Sequence, residues 1–284
     1  MKKIIVFYFL FVLFSISTIV FSQRTVKILA IGNSFSENAV EQNLYDIAKA
    51  DGVELVIGNL YIGGCDLATH WKNANTNSPS YLYKKIVDGQ KTTYAGKSIF
   101  FGVTDEDWDY ISFQQVSQYS GKYATYYPYL ADLLRYVKGI ATNKEVQYCL
   151  HRTWAYASNA THPGYVNYQS DQKIMYDSIV STTSRVANEN GIKIIIPAGT
   201  AIQNGRTSSV GDHLNSDGYH LNALGCYVAS CTWYEKLLGN SVIGNSFVPS
   251  DLSPSEIKVA QQAAHFAVIN PENVTIVKVA DKPL

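Results

Sequence analysis

The sequence contains little cysteine, and it has no excess of charge of either sign. Its 284 residues include four cysteines, and 23 lysine and arginine residues balance 23 aspartate and glutamate residues. A chain with zero net charge has no overall positive field to attract a phosphate backbone, so we expect no nucleic-acid partner. The cysteines lack the close Cys and His spacing of a zinc site, and a chain of this length does not depend on disulfides. Free buried thiols are therefore favoured over two disulfides at Cys65, Cys149, Cys226 and Cys231.

Beyond its N-terminus the sequence also lacks a long apolar run. At the N-terminus, Lys2 and Lys3 precede an apolar stretch over residues 4–21, and compact residues stand before a cut ahead of Gln23. This is the arrangement of a cleaved export signal, so residues 1–22 are predicted to be a signal peptide. The alternative is an uncleaved signal anchor, because the stretch is just long enough to span a bilayer. With cleavage, we expect a soluble protein exported to the periplasm or the extracellular space, with no stable membrane insertion.

What the sequence has in excess is tyrosine. It holds 21 tyrosines against 11 phenylalanines and four tryptophans, and 46% of its residues are hydrophobic. That apolar content excludes a disordered chain and is sufficient for a large core. Tyrosine rings pack like hydrophobic groups but keep a hydroxyl for a polar ligand. A tyrosine-lined rim is expected from Tyr81, Tyr83, Tyr94, Tyr119, Tyr123 and Tyr165.

Short apolar segments alternate along the chain with longer segments of helical periodicity. Such alternation is typical of βαβ units, so the predicted fold class is α/β, with a mostly parallel five-stranded sheet and helices on both faces. Segment 65–108 breaks the rhythm and is interpreted as an insertion, with a short helix and a hairpin, in one domain over 23–284. A long helix is predicted over 165–190. The predicted strands are 26–31, 54–62, 109–114, 145–150 and 192–196.

Ligands of open parallel sheets bind at the carboxyl ends of the strands, so residues that follow each strand are the candidates for function. After the first strand comes Gly32-Asn33-Ser34, ahead of a predicted helix. In one interpretation Ser34 is a nucleophile and its own backbone N–H binds an oxyanion. In the other, Ser36 caps the helix and its neighbours only form the turn. This segment alone leaves both interpretations open.

A second feature, Asp217-Gly218-Tyr219-His220, lies between the last strand and a long predicted helix. In a turn, this spacing brings the Asp217 carboxylate behind the His220 imidazole, which is the orienting acid and base that a nucleophilic serine needs. The alternative is a solvated loop whose aspartate caps the helix. Because both features fall at strand ends of one sheet, together they favour serine chemistry. A metal site using His213 lacks a third well-spaced ligand, so neither a metal nor another cofactor is expected.

The two segments, GNSFS after the first strand and DxxH near the C-terminus, resemble blocks I and V of the SGNH, or GDSL-like, hydrolases. The resemblance implies a flavodoxin-like three-layer α/β/α sandwich and ester hydrolysis through an acyl-enzyme. It implies that Ser34 is the nucleophile, that His220 is the general base and then acid, and that Asp217 orients the imidazole. Asn33 replaces the usual aspartate of block I and leaves the serine in register.

The resemblance also implies an oxyanion hole, formed by the backbone N–H groups of Ser34 and of a block II glycine, here Gly64. Block III departs from the family, because this chain has no GxND after its third strand. A glutamine amide could donate in place of the missing asparagine. Gln118 stands at the asparagine position in an ungapped count, whereas Gln115 lies nearer the end of the strand, and the sequence does not choose between them.

Three residues after the fourth strand, His151, Arg152 and Trp154, are candidates for substrate binding, with Arg152 suited to a carboxylate such as that of a uronic acid. The alternative is a loop in which Arg152 pairs with an acid and Trp154 packs over the core. Further candidates for the rim, with packing as the alternative, are His70, Trp71, His162 and Tyr165.

These features predict an exported serine esterase that removes small acyl groups such as acetyl from carbohydrate. A neutral, tyrosine-rich chain without a long apolar lid favours an acylated carbohydrate, or another small polar ester, over a lipid. The alternatives are a lipase or thioesterase of the same superfamily, and a non-catalytic glycan-binding module, which the altered block III keeps open.

Overall fold

The computed structural model describes residues 25–278. The predicted signal peptide at residues 1–22 lies outside the described residues. Among the described residues, no helix combines the length and the apolar character that crossing a membrane requires. All four cysteines are free and buried.

A seven-stranded sheet forms the centre of the structure, in the order β4-β3-β2-β1-β5-β6-β7. Five of these strands are parallel and correspond to the five predicted ones. The predicted strand count is nevertheless wrong, because the insertion contributes a hairpin that pairs antiparallel to β2. Asp88 and Gly89 form its turn, both with positive φ, of 51° and 73°. The strands are β1 Thr25–Gly32, β2 Glu54–Tyr61, β3 Tyr81–Val87, β4 Gln90–Lys97, β5 Tyr110–Phe113, β6 Gln147–His151 and β7 Ile194–Ile196.

Helices cover both faces of the sheet and complete three layers. Along β1, Ile28 and Ala30 face one core while Leu29 and Ile31 face the other, as strand alternation requires. The first core is closed by α1, α2, α7, α8 and α9 and the second by α3, α4 and α5, while α6 contributes to both. The helices are α1 Ser34–Val40, α2 Leu44–Ala50, α3 Leu67–Asn75, α4 Ile99–Thr104, α5 Tyr129–Ile140, α6 Gln172–Glu189, α7 Ala198–Arg206, α8 Ala223–Leu238 and α9 Pro254–Ile269.

The long helix predicted over 165–190 is divided in the structure. Pro163–Tyr168 forms a 3₁₀ helix, and α6 starts only after Asp171, whose side chain accepts a hydrogen bond from the backbone N–H of Ile174. Between them, Gln169 and Ser170 have positive φ values of 57° and 51°, which a helix cannot accommodate. Because the chain changes direction between the two helices, the 3₁₀ segment lies beside the carboxyl ends of the strands.

Candidate active site

The turn between β1 and α1 presents Ser34 as the first residue of the helix. A Cβ on Gly32 would lie 2.6 Å from the Ser36 hydroxyl oxygen and 2.9 Å from the Gln114 side chain, so only glycine fits. Asn33 caps α1, and its side-chain oxygen accepts a hydrogen bond from the backbone N–H of Phe35 at 3.0 Å. The cap and the packed glycine fix the direction in which the Ser34 side chain leaves the turn.

The structure brings together the three residues for which triad chemistry is predicted. The Nε2 atom of His220 lies 2.8 Å from Ser34 Oγ, and its Nδ1 atom lies 2.7 Å from Asp217 Oδ2. With an ionised Asp217, the ring proton belongs on Nδ1, and Nε2 keeps a lone pair for the serine hydroxyl. This arrangement is able to remove a proton from Ser34 as the hydroxyl attacks.

Two backbone groups hold the Asp217 carboxylate in place. Its Oδ1 atom accepts hydrogen bonds from the backbone N–H groups of Tyr219, at 3.0 Å, and His220, at 2.7 Å. Burial by itself would raise the pKa of Asp217, but these bonds and the contact with the His220 ring lower it overall. The carboxylate is therefore ionised at neutral pH, as the orienting role predicted for it would require.

The loop that carries His220 is held by a hydrogen bond from Trp154, whose ring stacks on another aromatic ring. The Trp154 Nε1–H group donates to the carbonyl oxygen of Tyr219 at 2.8 Å, and the Trp154 ring stacks on Phe35 with 4.2 Å between centroids. Gly218 adopts a φ of 91°, and its carbonyl accepts from the backbone of Ala157 at 2.8 Å. Trp154 thus couples the loop that carries His220 to the helix that begins with Ser34.

Gly64 lies in the same groove as Ser34, with a φ of 64° that favours glycine. The two turns are joined directly, because the Asn33 amide donates from Nδ2 to the carbonyl oxygen of Cys65 at 2.9 Å. Parallel pairing of β1 and β2, which places Gly32 opposite Tyr61, brings the turns to the same edge of the sheet.

The two candidate glutamines occupy different environments. Gln115 is 1% exposed, and its amide is used at both ends: Oε1 accepts from the backbone of Leu67 at 3.0 Å and Nε2 donates to the Thr125 carbonyl at 2.9 Å. Gln118 lines the groove, where its Oε1 atom accepts from the Ser117 hydroxyl at 3.3 Å. Within residues 25–278, its Nε2 has no hydrogen-bond acceptor. Of the two amides, Gln118 is the one that lines the same groove as Ser34.

The groove itself is small, with a volume of about 160 Å³. Its polar lining combines the predicted residues with two aromatic residues for which no catalytic role was predicted, His162 and Tyr219. The Tyr219 ring lies 4.4 Å from the His220 ring and 4.8 Å from the His162 ring. The residues that line the groove include Ser34, Gly64, Gln118, His162, Tyr219 and His220.

The structure places His151, Arg152 and Trp154 beneath the groove, which corrects the prediction that they contact substrate. They are 2%, 0% and 0% exposed, respectively. Arg152 binds Thr183 Oγ1 at 2.8 Å and Glu272 Oε1 at 2.9 Å, so its guanidinium anchors the C-terminal segment. His151 Nδ1 lies 2.9 Å from Gln114 Oε1, and Gln114 in turn donates to Asn33. These residues support the site from the core.

The predicted tyrosine rim is wrong for three of its six members. Tyr81, Tyr83 and Tyr165 are at most 2% exposed, because their rings fill the two cores. The tyrosine at the groove is Tyr219, which the sequence marks only by its position inside the DxxH segment. Gln114, which links Asn33 to His151, is marked only by its position at the end of the third predicted strand.

Two solved structures of low sequence identity share this fold. A candidate SGNH hydrolase from Slackia heliotrinireducens is 19% identical with a TM-score of 0.51, over 75% of this chain and 100% of that one. A variant of an acetyl-xylooligosaccharide esterase from Geobacillus stearothermophilus is 12% identical with a TM-score of 0.50, over 80% of this chain and 98% of that one. The chain therefore has the fold seen in SGNH hydrolases.

A much nearer likeness comes from a solved DUF4886 family protein of Bacteroides uniformis. It is 48% identical with a TM-score of 0.87, over 88% of this chain and 97% of that one. No curated protein matches this chain. The family described as "Domain of unknown function (DUF4886)" matches residues 27–267, which is most of the sequence. The chain therefore belongs to the DUF4886 family.

Proposed function

We propose that this protein is an exported serine esterase that hydrolyses small acyl esters, such as acetyl esters, on carbohydrate. The observation that carries the proposal is the chain of contacts from Ser34 Oγ to His220 Nε2 at 2.8 Å, and from His220 Nδ1 to Asp217 Oδ2 at 2.7 Å. Nucleophile, base and orienting acid together form the Ser-His-Asp arrangement that performs acyl transfer through a serine.

In the proposed reaction, Ser34 Oγ attacks the ester carbonyl carbon while its proton moves to His220 Nε2. The tetrahedral intermediate then collapses, the bond from carbon to the alcohol oxygen breaks, and His220 gives its proton to the leaving alcohol. Water repeats the sequence on the acyl-serine and releases the carboxylic acid. Asp217 stays ionised throughout and stabilises the imidazolium that forms twice.

The proposed oxyanion hole consists of the backbone N–H groups of Ser34 and Gly64 and the side-chain amide of Gln118. Gln115 is not proposed for this role, because both ends of its amide are engaged in the core. Donors preorganised around the developing negative charge supply about 3–4 kcal/mol each in serine hydrolases.

The small polar groove supports an ester with a small acyl group and a polar alcohol. A volume of about 160 Å³ leaves no room for a long acyl chain inside the groove. A protein of the same fold is named an acetyl-xylooligosaccharide esterase, and export through the segment at residues 1–22 would bring this chain to extracellular polysaccharide. A lipase, a thioesterase or a non-catalytic glycan-binding module are the alternatives that the following test separates.

The test is hydrolysis of 4-nitrophenyl acetate and 4-nitrophenyl octanoate by the mature protein and its variants. We expect acetate to be preferred and kcat to fall at least about 10³-fold in Ser34→Ala and in His220→Ala. Asp217→Asn is expected to cost a similar factor because the amide favours the wrong imidazole tautomer. Gln118→Ala should lower kcat about 10²-fold to 10³-fold with a smaller effect on KM.

His213→Ala is the matched control for His220→Ala, since His213 is an exposed histidine in the same loop. Its activity should equal that of the wild type. Activity that survives in Ser34→Ala would refute the proposed nucleophile. A preference for octanoate would favour a lipase, and glycan binding by a wild type with no activity would favour the binding module.

A further inference from the structure

His162 stands in the groove as a second imidazole that the proposed reaction does not use. It precedes the 3₁₀ helix Pro163–Tyr168, and its Nδ1 atom accepts a hydrogen bond from the backbone N–H of Gly164 at 3.0 Å. A backbone N–H is always a donor, so Nδ1 must carry a lone pair. In the neutral ring the proton is therefore on Nε2.

The His162 ring is held on two sides by aromatic neighbours. It packs edge-on to Tyr219 with 4.8 Å between centroids, and it lies 5.0 Å from the ring of Tyr156. Burial, and next the charge of His220, lower the pKa of His162, which keeps the ring neutral near pH 7. Within residues 25–278 its Nε2–H has no acceptor, so this side chain offers a fixed, uncharged donor at the groove.

The chemistry of the proposed reaction identifies which half of an ester would lie near this donor. The imidazole that accepts the serine proton returns it to the leaving alcohol, so the alcohol half of the substrate must lie beside His220. The Tyr219 ring bridges the two histidines, 4.4 Å from His220 and 4.8 Å from His162. His162 thus lies one ring beyond His220, the imidazole that would protonate the leaving oxygen.

We propose that His162 selects esters of polar alcohols, by donating a hydrogen bond from Nε2–H to an oxygen of the alcohol half, such as a hydroxyl or ring oxygen of a sugar. This inference rests on the proposed function. A neutral donor suits an uncharged oxygen, whereas a carboxylate or phosphate on the alcohol half would gain more from a cation. The expected substrate is therefore an acyl ester on a neutral sugar.

Two substitutions separate donation to substrate from the local structural role of His162. His162→Asn keeps an acceptor for the Gly164 N–H at the position of Nδ1, but it has no donor at the position of Nε2. His162→Gln does the reverse, because its amide nitrogen reaches the Nε2 position while the cap is lost. A role in substrate recognition predicts that glutamine retains the function better than asparagine, and a role in capping predicts the opposite order.

The experiment compares kcat/KM for 4-nitrophenyl acetate, whose alcohol half lacks a sugar oxygen, with kcat/KM for a mono-acetylated neutral methyl glycoside. In His162→Asn we expect the glycoside ester to lose at least about tenfold more than the aryl ester, the value of one hydrogen bond. His162→Gln should recover part of that selectivity, and the control His213→Ala should leave the ratio at its wild-type value.

Equal losses on both esters, or better function in the asparagine variant than in the glutamine variant, would overturn the role of His162 and leave the esterase proposal standing. A wild type that hydrolyses the aryl ester but not the glycoside ester would also overturn it. If the wild type hydrolyses neither ester, the proposed function fails and this inference fails with it.

Discussion

At the scale of single residues, the Asn33 side chain makes three hydrogen bonds that join separate parts of the site. Its Oδ1 atom accepts from the backbone N–H of Phe35 at 3.0 Å and from Gln114 Nε2 at 2.7 Å. These two donors fix the orientation of the amide, so its Nδ2 must be the atom that donates to the Cys65 carbonyl at 2.9 Å. An aspartate could keep the first two bonds but has no donor for the third.

Asn33→Asp is therefore predicted to weaken both the fold and the reaction. A carboxylate oxygen facing the Cys65 carbonyl should cost about 1–3 kcal/mol of the free energy of unfolding, because the side chain is 1% exposed. Displacement of the Gly64 turn should also lower kcat more than it raises KM. Urea unfolding and kinetics on 4-nitrophenyl acetate measure the two effects.

Asn43→Asp provides the comparison for this prediction. Asn43 also stands at a helix N-terminus, ahead of α2, but its side chain makes no capping bond. We expect a change within about 0.5 kcal/mol there. Wild-type stability and kcat in Asn33→Asp would show that the bond to Cys65 does not hold the two turns together.

Residue identities in the candidate triad were predictable because Ser34, Asp217 and His220 sit in short segments with their own local geometry. The positions of His151, Arg152 and Trp154 near the end of β6 were predictable too, but not the directions of their side chains. The buried Arg152 side chain pairs with Glu272, which lies 120 residues later in the chain. No local pattern contains that information.

At the level of secondary-structure elements, the β3–β4 hairpin supports the helix that begins with Ser34. Lys84 of β3 forms ion pairs with Glu37 of α1 and with Glu41, the residue that caps the C-terminus of α1, the latter at 3.4 Å. The Lys84 ammonium also lies 4.0 Å from the centre of the Tyr61 ring. Because the Glu41 side chain is only 1% exposed, its charge depends on partners within the protein.

Lys84→Met is predicted to destabilise the protein by about 3 kcal/mol or more, since it removes the buried partner of a buried carboxylate. Lys91→Met is the matched control: Lys91 also lies 3.4 Å from Glu41, but its side chain is 45% exposed. The control should cost less than about 1 kcal/mol. Urea unfolding of both variants tests the difference, and a loss of less than about 1 kcal/mol in Lys84→Met would contradict a supporting role for the hairpin.

Elements with strong local signals were predictable from the sequence, and their partners were not. Asp88-Gly89 marks the hairpin turn, yet nothing nearby indicates that the hairpin extends the main sheet next to β2. The break before α6 falls at Gln169 and Ser170, two residues with no special preference for positive φ. The 3₁₀ segment before the break packs closely against the site, since a Cβ on Gly164 would lie 2.3 Å from the Gln118 side chain.

Across the whole molecule, the sheet order explains why the candidate site needs the complete fold. The central strand β1 delivers Ser34, while His220 comes from a loop 186 residues later that follows the last strand. β2 and β5 flank β1 and bring the turns containing Gly64 and Gln118 to the same edge. The α/β class and the parallel arrangement followed from the alternation of elements, which is a property of the whole sequence.

The whole fold is also expected to lose stability in mild acid, because two histidines are fully enclosed in it. His70 is 0% exposed and His151 is 2% exposed. Burial lowers the pKa of His70 to about 4 and that of His151 to about 3, against an ordinary value of 6.5. Between these values, the unfolded chain binds protons that the folded chain does not. The stabilisation is thus complete above about pH 6.5 and is lost as the pH falls towards the folded-state values.

We predict that the free energy of unfolding falls by up to about 1.4 kcal/mol per pH unit for each of these histidines between pH 6 and pH 5. Urea unfolding at a series of pH values measures the slope, and His70→Gln should reduce it by the share of one group. His213→Ala, which removes an exposed imidazole, should leave the slope unchanged. The same slope in His70→Gln and in the wild type would contradict this prediction. It would mean that His70 takes up its proton in the folded state, although its side chain is enclosed in the core.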